Sequence, residues 1–233
     1  MLADLDSVEK RYAKTEKVAK TTADPKLKAE AATIKKILDA LQAGKPARTV
    51  ELSEDEKPLI QDMHLITRKP VLYLANVDEA GLKTKTQWVM DVEKRAKEEH
   101  AEIVQICGSL ESEISQLEEA ERLDFLKEMG LSEPGLHKLI RAGYKLMDLV
   151  TYFTAGVQEV RAWTITKNTK APQAAAVIHS DFEKGFIRAE TYNCEDLFKL
   201  GSEAAVKEKG LYRSEGKDYI VKDGDILFFR FNV

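Results

Sequence analysis

The chain has 233 residues, 43% of them hydrophobic and 33% charged, which excludes pervasive disorder and leaves enough apolar mass for one or two packed domains. Lys plus Arg total 36 against 40 Asp plus Glu, a formal net charge of −4, so no global case for nucleic-acid binding exists, although a local basic patch remains open. The two cysteines, Cys107 and Cys194, are far apart and read as reduced thiols. The longest apolar runs are too short to span a bilayer, and the Met1-Leu-Ala-Asp-Leu-Asp start lacks a basic n-region. A cytoplasmic protein without membrane insertion is expected.

In chain order, Leu2, Leu5, Val8, Tyr12, Thr15 and Ala19 recur at helical spacing. A second helix is expected from Asp24 as N-cap and Pro25 at the first position, with Leu27, Ala31, Ile34, Leu38 and Leu41 on one stripe. The two make an antiparallel hairpin or short coiled coil over residues 1–46. Residues 47–58 read as loop, and a short helix is expected over 54–66.

The texture then changes. Pro70-Val-Leu-Tyr-Leu-Ala75 ends at Asn76 and reads as a buried parallel strand. A helix is expected over Thr86–Glu99 with Trp88, Val89, Val92 and Ala96 inward, followed by a strand over Glu102–Cys107. This strand-helix-strand unit implies a parallel sheet. Residues 111–128 read as one acidic helical stretch. Another helix starts at Ser132-Glu-Pro-Gly with Leu136, Leu139, Ile140, Gly143 and Met147 on one face.

From about Leu149, strands are expected at Val160–Ile165, Ala176–His179, Phe186–Glu190, Tyr219–Val221 and Ile226–Phe231. Asp196–Leu200 reads as a short helix, and Asp223-Gly-Asp225 as a tight turn. The fold class is therefore mixed α+β and α/β: a helical hairpin at 1–46, a parallel β/α unit within 47–148, and a small mixed-sheet domain at 149–233.

Asn76-Val-Asp-Glu79 sits where ligands bind in doubly wound folds, beyond the carboxyl end of a parallel strand. An Asn amide donates and accepts, and a carboxylate accepts from ring or exocyclic N–H groups, so the pair suits a purine base. The same Asn also suits a simple strand-to-loop turn. Cys107-Gly-Ser-Leu110 offers either a small loop whose backbone touches a base or an ordinary strand exit. Lys10, Arg11, Lys14, Lys17 and Lys20 on the first helix read either as an RNA phosphate contact or as a solvated face. The four histidines are scattered, with no pair at metal-binding spacing. His179 is expected in a strand, in a structural hydrogen bond.

Asn76-Val-Asp-Glu79, the Cys107-Gly-Ser-Leu-Glu111 loop and the tail blocks together resemble the Obg-like ATPases of the YchF type. The tail blocks are Tyr152–Gly156, Glu159–Trp163, Ala171–His179, Ser180–Ala189 and Asp223–Ile226. The resemblance covers essentially the whole chain. It implies a partial nucleotide-binding domain, a coiled-coil insertion and a C-terminal TGS domain, a β-grasp module also found in threonyl-tRNA synthetases and stringent-response enzymes. By that resemblance Asn76, Val77, Glu79, Ser109 and Leu110 border the base of ATP or GTP, Val77 standing where guanine-reading relatives carry Lys and Glu79 where they carry Asp. Ribosome or RNA partners, and regulatory proteins, are implied, and no DNA partner is expected. The family's phosphate-binding G-x-x-x-x-G-K-S/T loop is not in this sequence: Gly130 and Gly135 have the spacing, but Leu136-His137 follows. The family's Mg²⁺-linked Asp-x-x-Gly motif after an early strand is missing too, so the resemblance implies Mg²⁺ only with a further N-terminal part. A chain cut inside its nucleotide-binding domain and inactive alone in hydrolysis is expected. A non-enzymatic RNA- or protein-binding module is the alternative.

Overall fold

The computed structural model describes residues 1–156 and 159–232, which gather into two compact units, Met1–Gln116 and Leu117–Val233. Helical hairpin and β/α unit fall together in the first. Residues 117–148 fall with the tail in the second.

In the first unit, α1 (Leu2–Thr21) and α2 (Pro25–Gln42) pair as an antiparallel hairpin. Asp24 caps α2 by accepting from the Lys26 N–H at 2.8 Å, and Pro25 presets the first turn. Val8, Ile34, Ile37 and Leu41 are buried, and Ile60 and Leu65 from the following segment close over them. That segment is not an α-helix over 54–66. It is a set of 3₁₀ turns at Ala47–Thr49, Lys57–Met63 and Ile66–Arg68. Leu59, Met63 and Ile66 have helical spacing, but Pro58 fits the first turn of a short 3₁₀ piece and His64, in the left-handed conformation, ends it after Met63.

Two polar clusters fix this segment. The buried Asp4 carboxylate accepts from the backbone N–H of Ile66 at 3.1 Å and of Thr67 at 2.6 Å. Burial pushes its pKa up, but the bonds from Thr67 and Ile66 outweigh this and hold it below the ordinary value. The buried Glu99 accepts from Arg48, from Tyr73 Oη at 3.0 Å and from Arg95 at 2.6 Å. These partners likewise pull its pKa down against the effect of burial.

Strand β1 (Leu72–Asn76) runs parallel to β2 (Glu102–Ile106), with Asn76 opposite Ile106. Between them lie α3 (Glu79–Lys83) and α4 (Gln87–Glu98), and α5 (Gly108–Gln116) follows. Among the described residues this sheet has two strands only. Val89 and Ala96 face inward and Val92 is half-buried, as the helical spacing of α4 requires, but Trp88 is 81% exposed and does not. Trp88 follows the Thr86 cap by two residues and lies off the buried stripe.

In the second unit, the acidic stretch expected as one helix breaks: α5 ends at Gln116 and α6 (Glu119–Glu128) begins after Leu117-Glu118. In α7 (Gly135–Leu146) the apolar face forms, yet Leu136, Ile140 and Met147 stay exposed. The tail is a five-stranded sheet in the order β4-β3-β7-β5-β6. Its strands are β3 (Leu149–Ala155), β4 (Val160–Thr166), β5 (Phe186–Asn193), β6 (Arg213–Glu215) and β7 (Asp225–Phe231). β3 and β7 are parallel and the other pairs antiparallel. The strand expected at Ala176–His179 belongs instead to α8 (Ala171–Ile178). Pro172 in its first turn and Ala174, Ala175 and Ala176 favour a helix over the β-branched pair at its end. The short α9 (Ser180–Lys184) follows. Tyr219–Val221 contributes only a single bridge, Ile220 to Lys170.

Tyr152, Ile165, Ala174, Ala175, Ala189, Leu227 and Phe229 form the core between one sheet face and α8. The buried Tyr152 hydroxyl donates to the Ala174 carbonyl at 2.9 Å, which satisfies it. On the opposite face α10 (Cys194–Leu200) and α11 (Glu203–Glu208) cover Tyr192 and Ile226. Gly224 opens β7 at φ +79, the left-handed conformation that the tight turn needs.

Candidate functional site

The apolar run of β1 ends where its ladder with β2 ends. The Val77 N–H donates to the Ile106 carbonyl at 2.8 Å and carries the pairing one residue past the strand. Asn76 Oδ1 then accepts from the Gly108 N–H at 2.9 Å. The two loops singled out in the sequence, 32 positions apart, are thereby clamped together. A Cβ on residue 108 would meet Asn76 Oδ1 at 3.3 Å, so glycine allows this approach. The bond occupies the amide oxygen and leaves the Asn76 Nδ2 to donate.

The other residues divide by role. Asp78 caps α3: its Oδ1 accepts from the Gly81 N–H at 2.7 Å. It is thereby committed to the turn. Val77 packs so closely on Gly81 that a Cβ there would come within 2.8 Å of Val77 Cβ. Glu79 opens α3 with an exposed side chain. Ser109 Oγ lies 3.1 Å from Cys107 Sγ, which is buried. Leu110 is 1% exposed, so its side chain belongs to the core and only its backbone can meet a ligand. Beside the clamp is a hollow of about 450 Å³, walled by Asn76, Val77, Asp78, Trp88, Val89 and Val92. Trp88 was expected in the core. Its place on this wall has no signal in the sequence beyond its nearness to the loop.

The basic face of α1 is only partly free. Arg11 pairs with Glu30 at 2.8 Å and Asp62 at 3.1 Å, and Lys10 with Asp6 at 2.7 Å. Lys14 and Lys17 are exposed, with no ion pair among the described residues. His179 is not in a strand. It joins α8 to α9, and its Nδ1 accepts from the Asp181 N–H at 3.2 Å as an N-cap. His64, His100 and His137 lie on separate elements, and among the described residues no group of three or more His, Cys, Asp or Glu side chains is placed to hold a metal. At the end of β1 the Asn76 amide nitrogen has no hydrogen bond among the described residues, and the Glu79 carboxylate is exposed.

Residues 149–232 match the model YchF-GTPase_C, described as "Protein of unknown function (DUF933)". The chain is 48% identical over its whole length to the ribosome-binding ATPase YchF of Bacillus subtilis, of which it spans 64%. It is 42% identical over 94% of its length to Obg-like ATPase 1 of Pongo abelii, of which it spans 56%. The Schizosaccharomyces pombe YchF GTPase superposes with a TM-score of 0.86 at 34% identity, over 98% of this chain and 62% of that one. The chain spans less than two thirds of these relatives, and it belongs to the YchF/Obg-like ATPase family.

Proposed function

We propose that this chain is the base-reading, partner-binding portion of a YchF/Obg-like ATPase. The carrying observation is the Asn76–Gly108 clamp, which holds two loops at the end of a parallel pair with the Asn76 amide N–H₂ unspent. In this reading that group donates to an acceptor on the purine ring. Glu79 accepts from an exocyclic amino group, Val77 and Ser109 border the ring, and the Leu110 backbone completes the edge. Adenine and guanine both carry such an amino group, so ATP and GTP are both candidates, with ATP placed first because the relatives are named ATPases. The phosphate-binding loop is absent from the sequence, so nothing here positions a γ-phosphate for transfer.

The parts divide the work. The hairpin at 1–46 acts as a coiled coil, residues 47–148 as the remnant of the nucleotide-binding domain, and 149–233 as a TGS domain of β-grasp type. The mixed sheet with α8 across one face supports that last reading. Ribosome binding, printed in the names of relatives, is proposed for this chain through the exposed Lys14 and Lys17, with Lys10, and through the tail. Arg11, paired with Glu30 and Asp62, is half-exposed and joins this face as a further contact. Location in the cytoplasm follows from that partner.

Equilibrium binding with ATP and GTP tests the reading. The expected result is weak affinity, no turnover, and loss of binding with Asn76→Ala, because base contacts lack the charge-assisted bonds that phosphates receive in such sites. Binding that survives Asn76→Ala and Glu79→Gln together sinks it. The competing reading, an RNA- or protein-binding module that uses no nucleotide, predicts ribosome association unaltered by nucleotide and by Asn76→Ala.

A further inference from the structure

A second cavity, of about 630 Å³, lies among the 3₁₀ turns that precede β1. Its floor is apolar, formed by the buried Ile60 and Leu65. Its rim is cationic. Lys57 is held by Glu54, which also lines the cavity. Arg68 and Lys69 line it as well, with no ion pair or side-chain hydrogen bond among the described residues. Of the neighbouring acids, Asp62 pairs with Arg11 and Glu56 with Lys36, and the exposed Asp55 lies outside the lining. The rim thus carries three cations against one carboxylate in a chain of net charge −4. His64 adds a ring donor to it. It closes the 3₁₀ turn in the left-handed conformation, φ 46 and ψ 41, which few residues other than glycine adopt.

Like charges are not gathered around a hollow without electrostatic cost, and an incoming anion removes that cost. We propose that this cavity binds a small phosphorylated anion, of about the size of pyrophosphate or a phosphate monoester. Arg68 presents its planar fork to two phosphate oxygens, and Lys69 and Lys57 act as point charges. Glu54 opposes binding, because it repels the anion and holds Lys57. The apolar floor leaves room for an organic group on the phosphate. None of these residues belongs to the Asn76 loop, so the site stands independently of the base-reading proposal.

Calorimetric titration of the full chain with inorganic pyrophosphate at constant ionic strength tests this. The expected result is one saturable site, weakened at least about tenfold by Arg68→Ala, partly restored by Arg68→Lys and unaffected by Asn76→Ala. Glu54→Gln is expected to tighten binding severalfold, a gain that loss of folding cannot imitate. Adenosine monophosphate as a second probe separates a bare phosphate site from one that also holds an organic group. The proposal is overturned by no saturation below about 10 mM, by an affinity unchanged in Arg68→Ala, or by Arg68-dependent binding of a short RNA duplex without any binding of pyrophosphate.

Discussion

Two regions of the molecule carry the same kind of apolar strand and finish it differently. In the tail, β7 lies between β3 and β5, its Leu227 and Phe229 are buried, and helices cover both sheet faces. In the first unit, β1 has a partner on one side only among the described residues, and Leu74 is 45% exposed although the run Pro70–Ala75 is continuously apolar. Sequence alone does not distinguish them, because an apolar run records what a strand is built to touch, not what touches it. The difference lies in closure. An unpaired edge and uncovered apolar side chains leave stabilisation unrealised, about 25 cal/mol per Å².

The largest effect that sharpens the contrast is truncation of matched leucines. Leu227→Ala is expected to destabilise the tail by about 2–5 kcal/mol, the usual cost of a core cavity. Leu74→Ala is expected to cost about 0.5 kcal/mol or less, as at surface sites. Denaturant unfolding of each variant reads both, and equal losses would erase the distinction between the two strands.

Hydrogen exchange probes the same contrast without mutation. In a monomeric sample the amides of 71–75 are expected to exchange roughly a hundredfold faster than those of 226–231, because local openings are cheap where few contacts hold the backbone. Equal protection would mean that the chain's own helices cover β1, against the exposure described above.

A smaller effect concerns Asp4. Asp4→Ala leaves two backbone donors without their partner, an expected loss of about 1–3 kcal/mol from the first unit and none from the tail. The carboxylate's folded pKa is below its unfolded value, so its contribution is present above about pH 4 and is lost as the pH falls through the depressed folded pKa. Urea unfolding at pH 6 and pH 3 should show an acid-dependent loss in the parent that is reduced in Asp4→Ala. An unchanged acid dependence in the variant would assign the effect to another group, Glu99 being the next to examine.

What could be read in advance follows the range of the interaction. The α1 and α2 helices, the Asp24-Pro25 start, the two strands of the parallel pair and the final strand are local patterns, and they form where read, although Leu2 of the α1 stripe is exposed and β1, read as buried, has no fully buried residue. The tail's α8 was misread because Ala176-Val-Ile-His179 looks extended in isolation, while the capping proline and alanines lie upstream. The α7 stripe was legible as a helix, but its exposure was not, since periodicity says nothing about what lies opposite. Asn76 and Gly108 were each visible as loop residues. Their hydrogen bond was not, because it joins positions 32 apart. Arg11 stood among the basic residues of α1, and only the packing shows it turned to Glu30 and Asp62.

The Asp4 clamp also has a consequence for the order of events during synthesis. The hairpin of α1 and α2 is complete in sequence at Gln42, yet the carboxylate that anchors the start of α1 finds its donors only at Ile66 and Thr67, some 62 positions along. At about 5–20 residues per second, the intervening stretch takes roughly 1–5 s to appear. For that interval the nascent hairpin has its helix–helix contacts but not the polar anchor beneath them. Asp4 is then hydrated, its burial deferred until the chain supplies the two amides.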